Sequence, residues 1–134
     1  MKVDHVGIAV RSIEEALSHY ENLLGFTREG SPVLVDRYGV RVVVLCNREG
    51  ERVELVEPLS EESPVYRSLK KGKYGCVHHM CYRCTEIEKT LERAVDAGAT
   101  IVSPPGPGGV HEDSVVAFVL HPDFGLTEFV EVTR

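Results

Sequence analysis

The chain carries one pattern twice, and that duplication limits what it can fold into. VDHVGIAVRSIEEALSHYENLLGF runs from Val3 to Phe26, and VHHMCYRCTEIEKTLERAVDAGAT begins at Val77. With His5 aligned to His79, each copy has an isoleucine eight residues on, Ile13 and Ile87. A leucine follows four positions later in each, Leu17 and Leu91. Gly25 and Gly98 come 12 and 11 residues past the isoleucine. Each half closes on a similar segment, VELVEP around Glu54 and FVEVTR around Glu131. His5 to Glu54 spans 49 positions, and His79 to Glu131 spans 52. A long repeat used twice is one supersecondary module duplicated, whereas a solenoid needs about three units or more.

Hydrophobic periodicity places the elements. Val3 to Val10 reads as a strand in which His5, Gly7 and Ala9 share one face and Val6, Ile8 and Val10 the other. Ser12 caps a helix with Glu15 completing a capping box, Ile13, Leu17 and Leu24 lie on its apolar stripe, and Gly25 stops it. Phe26 to Asp36 is an edge strand broken by Gly30 and Pro32. Val40 to Cys46 and Arg52 to Glu57 form a hairpin around Asn47 to Gly50. Pro64 opens a short helix through Leu69, followed by a basic patch of Lys70, Lys71 and Lys73. The second half repeats the order. A strand spans Cys76 to Cys84, and a helix capped by Thr85 and Glu88 runs to Ala97. A short strand at Ile101 and Val102 leads into a mobile PPGPGG loop, and strands at Val115 to Leu120 and Thr127 to Val132 finish the chain. The expected fold class is α+β: two βαβββ modules in pseudo-twofold arrangement, their sheets wrapping a metal-binding cup. Module one is 1–58, the linker 59–75 and module two 76–134, within a single domain.

Composition excludes several classes. At 134 residues, 43% hydrophobic and 27% charged, the chain suits one soluble domain with a real core. A net charge of −6 with interspersed signs argues against nucleic acid as partner. No apolar run approaches a membrane span, and the N-terminus lacks a signal pattern, so a cytoplasmic location is expected. Cys81 and Cys84 form a lone C-x-x-C, which without a second pair is a weak zinc or redox motif. With Cys46 and Cys76 they are expected to be free thiols of a reducing compartment.

Each module thus offers a strand histidine and a strand glutamate: His5 with Glu54, His79 with Glu131. A carboxylate in an apolar strand is costly to bury unless paired or metal-bound. Two imidazoles and two carboxylates suit one divalent cation, namely zinc, nickel, cobalt, manganese or ferrous iron. Such an ion would stabilise the charge formed when a proton α to a carbonyl is removed. Repeat alignment selects His79 over His78, while His19, His111 and His121 read as solvent-facing or local.

At these residues the chain resembles the vicinal oxygen chelate, or glyoxalase/bleomycin-resistance, superfamily along essentially its whole length. Within it the likeness is to the methylmalonyl-CoA epimerases, carried by DHVGIAV, VELVEPLSEESPV, GCVHHM and GPGG followed by VAFVLHP. The resemblance implies metal positions at His5, Glu54, His79 and Glu131, with Glu131 able to leave the metal and act as the base. It also implies a homodimer. The sequence departs from the epimerases at two places. Val42 stands where they carry a second acid/base glutamate, and HPDFGLTEF replaces their Lys/Ser-containing segment.

The leading expectation is a metal-dependent isomerase or epimerase acting α to the carbonyl of an acyl thioester. Lys70, Lys71 and Lys73 are candidates for the phosphates of a coenzyme A or phosphopantetheine arm. The alternatives are a glyoxalase I-like lactoylglutathione lyase and a non-catalytic drug-binding resistance protein. An extradiol dioxygenase fits less well, because its chemistry favours two histidines and one carboxylate.

Overall fold

Strand β1 (Val3–Ala9) and helix α1 (Ile13–Asn22) show how the sequence builds each half. The protein is described by a computed structural model, which covers residues 1–110 and 113–132. His111 therefore lies outside the described residues. The chain divides into two compact units, His5–His78 and, with the N-terminal residues, Met1–Asp4 plus His79–Arg134. Three α-helices and nine strands occur among the described residues, a mixed α+β fold.

In the first unit β1 lies parallel to β5 (Arg52–Pro58), and β5 pairs antiparallel with β4 (Val40–Cys46). The broken edge predicted for Phe26 to Asp36 is two short strands, β2 (Thr27–Arg28) and β3 (Val33–Val35), both on β4. One face of this sheet is apolar. Val10, Ile13, Leu17, Val43, Leu45 and Leu55 form a buried cluster beneath α1. Alternation puts His5, Val42, Val44 and Glu54 on the other face. Ser12 caps α1 by accepting from the Glu15 N–H at 3.3 Å. Helix α2 (Pro64–Gly72) runs one turn beyond the expected Leu69, so Lys70 and Lys71 are helical, and Lys73 closes it at φ 64°.

In the second unit β6 (Cys76–Cys84, from His79 on) lies parallel to β9 (Gly125–Val132), and β9 pairs antiparallel with β8 (Ser114–His121). Helix α3 (Ile87–Asp96) packs Ile87, Leu91 and Ala94 against Ala117, Val119 and Phe129. The two units thus repeat one order, strand–helix–strands, with the first and last strands parallel.

Two expectations are corrected. PPGPGG is not a loop throughout, because β7 (Thr100–Pro107) continues along β8 with two register shifts. Within its unit β7 is an edge strand, where prolines that cannot donate to a ladder are tolerated. Thr85 does not cap α3. The cap position is Glu86, and it makes no side-chain capping bond. The helix N-terminus is satisfied from elsewhere, as the site shows.

Candidate metal centre

The first unit brings together two of the expected ligands. Glu54 stands in register with Gly7, two residues beyond His5 on the parallel neighbour. His5 Nε2 lies 3.8 Å from Glu54 Oε1, with side chains 7% and 13% exposed. The clustered apolar face under α1 fixes the strands from behind, leaving this pair on the opposite face.

The second unit repeats the arrangement with a different glutamate. Glu128 stands in register with Cys81, two residues beyond His79. His79 Nε2 lies 3.0 Å from Glu128 Oε2, with side chains 2% and 9% exposed. Phe118 meets the His79 ring edge to face at 5.3 Å, and Cys81, Val116 and Val130 form a buried patch on this side of the sheet.

Glu131, expected as metal ligand and base, sits on the helix-facing side. Its Oε2 accepts a 2.6 Å hydrogen bond from the Ile87 N–H, satisfying the first turn of α3. Strand alternation explains the change: three residues from Glu128, Glu131 points to the other face. The first unit has the same device, since Glu57 Oε2 accepts from the Ile13 N–H at 2.7 Å. Arg41 also donates to Glu57 at 3.2 Å and to Glu14, whose exposed carboxyl it holds below the ordinary range.

The sequence held the signal that identifies Glu128. From His5 to Glu54 and from His79 to Glu128 the spacing is the same, 54 − 5 = 128 − 79 = 49. VELVEP aligned on TEFVEV then matches Glu54 with Glu128 and Glu57 with Glu131.

The side chains suited to holding a metal ion thus include His5 and Glu54 in one unit and His79 and Glu128 in the other. The donor chemistry fits a divalent ion: imidazole nitrogens and carboxylate oxygens, largely buried. His121 and His19 are occupied locally or exposed. His121 Nε2 lies 2.8 Å from the Ala97 carbonyl, its Nδ1 accepts from the Asp123 N–H, and its ring stacks on Phe124. His19 is exposed in the last turn of α1. All four cysteines are free, and burial pushes the Cys84 thiol up, a Thr90 hydrogen bond opposing and the Glu131 charge adding to the effect.

The family model of the glyoxalase/bleomycin resistance protein/dioxygenase superfamily matches residues 4–118. The chain is 35% identical to an ethylmalonyl-CoA/methylmalonyl-CoA epimerase from Cereibacter sphaeroides, over 98% of each protein. The solved methylmalonyl-CoA epimerase of Mycobacterium tuberculosis superposes with a TM-score of 0.85 at 26% identity, covering 98% of this chain and 88% of that one. A variant of the Streptomyces coelicolor methylmalonyl-CoA epimerase, in complex with 2-nitronate-propionyl-CoA, gives 0.84 at 25% identity over 100% and 99%. With its repeated strand–helix–strands order and its helix-backed strands, the chain belongs to the glyoxalase/bleomycin resistance protein/dioxygenase superfamily.

Proposed function

We propose that the protein is a metal-dependent enzyme of the epimerase kind, which moves a proton α to the carbonyl of an acyl thioester such as methylmalonyl-CoA. The observation that carries this reading is the largely buried His–Glu pair, present once in each unit at equal spacing. We take His5, Glu54, His79 and Glu128 as one ligand set. Two neutral imidazoles and two carboxylates bring a charge that a divalent cation cancels, which offsets the cost of burying the acids. Cobalt, nickel, zinc, manganese and ferrous iron all suit these donors. Bound there, such an ion supplies Lewis acidity to a carbonyl oxygen.

The chain's own groups do the rest. Glu128 takes the α-proton, the role expected of Glu131, whose carboxylate is committed to the start of α3. His79 pairs with that carboxylate, and Phe118 packs on the His79 ring, in a largely water-excluded setting. The epimerases among the relatives, and the acyl-CoA analogue bound by the Streptomyces enzyme, support the substrate class. Four free thiols suit a reducing, cytoplasmic setting, and we carry the homodimer as part of the reading.

One observation favours a second reading. Val40, Val42 and Val44 lie on the face of β4 that Glu54 shares, so these three positions offer no second acid or base. A glyoxalase I-like isomerase, which manages with one base, fits that wall. The test is metal-loaded protein in D2O with an acyl-CoA thioester and, in parallel, a hemithioacetal. The proposal expects metal-dependent α-deuteration of the thioester, reduced about 100-fold or more in Glu128→Gln. Turnover of the hemithioacetal alone would transfer the assignment to the second reading. Neither reaction would overturn both.

A further inference from the structure

A second feature of the first unit lies along the same strands as His5 and Glu54. β1 and β5 run parallel, and the Val10 N–H bonds the Val56 carbonyl at 2.9 Å, so Arg11 and Pro58 come out at one shared end. There a cleft of about 440 Å³ opens, lined by Arg11, Pro58, Ser60, Tyr66, Leu69 and Lys70, with Glu61 at its side. Its volume is that of a small-molecule site. Pro58 shares strand parity with Glu54 and stands four residues beyond it, about 13 Å along β5 at ~3.3 Å per residue.

The lining has two characters. Leu69 is buried at 2% exposure, and with Pro58 and the Tyr66 ring it gives an apolar floor. Arg11 and Lys70 are exposed cations, and neither forms an ion pair among the described residues. The one carboxylate in the cleft, Glu61, accepts from the Tyr66 hydroxyl at 3.2 Å. Helix α2 sets the selection among the lysines: Lys70 lines the cleft, whereas its neighbours Lys71 and Lys73 do not. An occupant therefore needs a flat or apolar body for the floor and more than one negative group for the two cations.

We propose that this cleft docks the phosphorylated adenosine end of a coenzyme A thioester, whose pantetheine arm runs along β5 towards Glu54. The inference rests on the acyl thioester reading given above. The purine lies on Pro58, Tyr66 and Leu69, and the phosphates meet Arg11 and Lys70. Guanidinium and ammonium together suit paired phosphates, the first by bidentate hydrogen bonds and the second as a point charge.

The test has two arms. The first is calorimetric titration of the protein and its Arg11→Glu, Lys70→Glu and Lys71→Glu variants with adenosine 3′,5′-bisphosphate, and separately with inorganic phosphate. Saturable binding of the bisphosphate is expected, weakened on the order of tenfold in Arg11→Glu and Lys70→Glu and unchanged in Lys71→Glu. The second arm compares kcat/KM for an acyl-CoA and for the same acyl group on pantetheine alone. The ratio between them falls by a similar factor in the two cleft variants and stays put in Lys71→Glu. An unchanged ratio with unchanged bisphosphate binding overturns the proposal while leaving the catalytic reading intact. Equal losses in Lys71→Glu also overturn it, since bulk charge then explains the effect. Inorganic phosphate binding as tightly as the bisphosphate overturns the adenosine assignment. If neither thioester is turned over, the catalytic reading fails, and the titration still decides the cleft.

Discussion

Glu131 accepts a 2.6 Å hydrogen bond from the Ile87 N–H, and Glu57 accepts one of 2.7 Å from the Ile13 N–H. In each unit a carboxylate from the last strand thus caps the helix that follows the first strand. A charge-assisted bond at a partly buried helix N-terminus contributes about 1–2 kcal/mol. Glu131→Gln should therefore lower stability by about that amount, read by urea denaturation, while metal content is kept. A loss of metal with unchanged stability would reverse the roles given to Glu131 and Glu128.

The α-proton chemistry carries a stereochemical expectation. Val42 is 4% exposed and pairs with Val56, while Val44 pairs with Glu54, so neither of these β4 positions carries a proton donor or acceptor. Deuterium uptake from D2O into an α-chiral acyl-CoA should outrun inversion by about 100-fold, the share a positioned acid or base supplies. Chiral chromatography alongside mass spectrometry measures both rates. Equal rates would place a second acid or base on the substrate.

Burial raises the Cys84 thiol and, separately, the Tyr20 phenol above their ordinary values. A raised folded pKa favours the protonated form on folding. That contribution is full below the unfolded thiol value of about 8.5 and is lost as pH rises through the folded one. Thermal midpoints should fall as pH is taken from 8 towards 11, and Cys84→Ala should flatten the first part of that fall. A midpoint steady across this range would contradict the partly buried placement of both groups.

Lys73 ends α2 with φ 64°, the one non-glycine residue at positive φ among those described. A side chain there carries a left-handed penalty of about 1 kcal/mol that glycine escapes. Lys73→Gly should raise stability by up to about 1 kcal/mol in chemical denaturation. Because Lys73 does not line the cleft, bisphosphate affinity should not change.

Much of this was legible from the residues. Alternation put His5 and His79 on the faces away from the helices, and the structure has Ile8 and Val10 on one side of β1 and Tyr82 and Cys84 on one side of β6, packed into the helix-side clusters. Strands β4 and β6 run as the apolar pattern placed them. What failed was register at the C-terminus. FVEVTR and TEFVEV both contain a strand glutamate, and local pattern does not choose between Glu128 and Glu131. The choice lies in long-range order: the equal 49-residue spacing of the two repeats, and the strand pairing that sets Cys81 against Glu128. The α3 cap failed for a related reason: Thr85 and Glu88 form a local capping box in the sequence, but a carboxylate 44 residues away occupies the helix end. The β7 prolines were read from their turn propensity, which an edge position overrides.

Elemental analysis of the purified protein, run beside Glu128→Ala and Glu131→Gln, tests the central claim most directly. The account predicts about one divalent ion per chain in the parent and in Glu131→Gln, and far less in Glu128→Ala. Metal retained in Glu128→Ala but lost from Glu131→Gln, or no metal in the parent after soaking with cobalt, nickel or zinc, would contradict it.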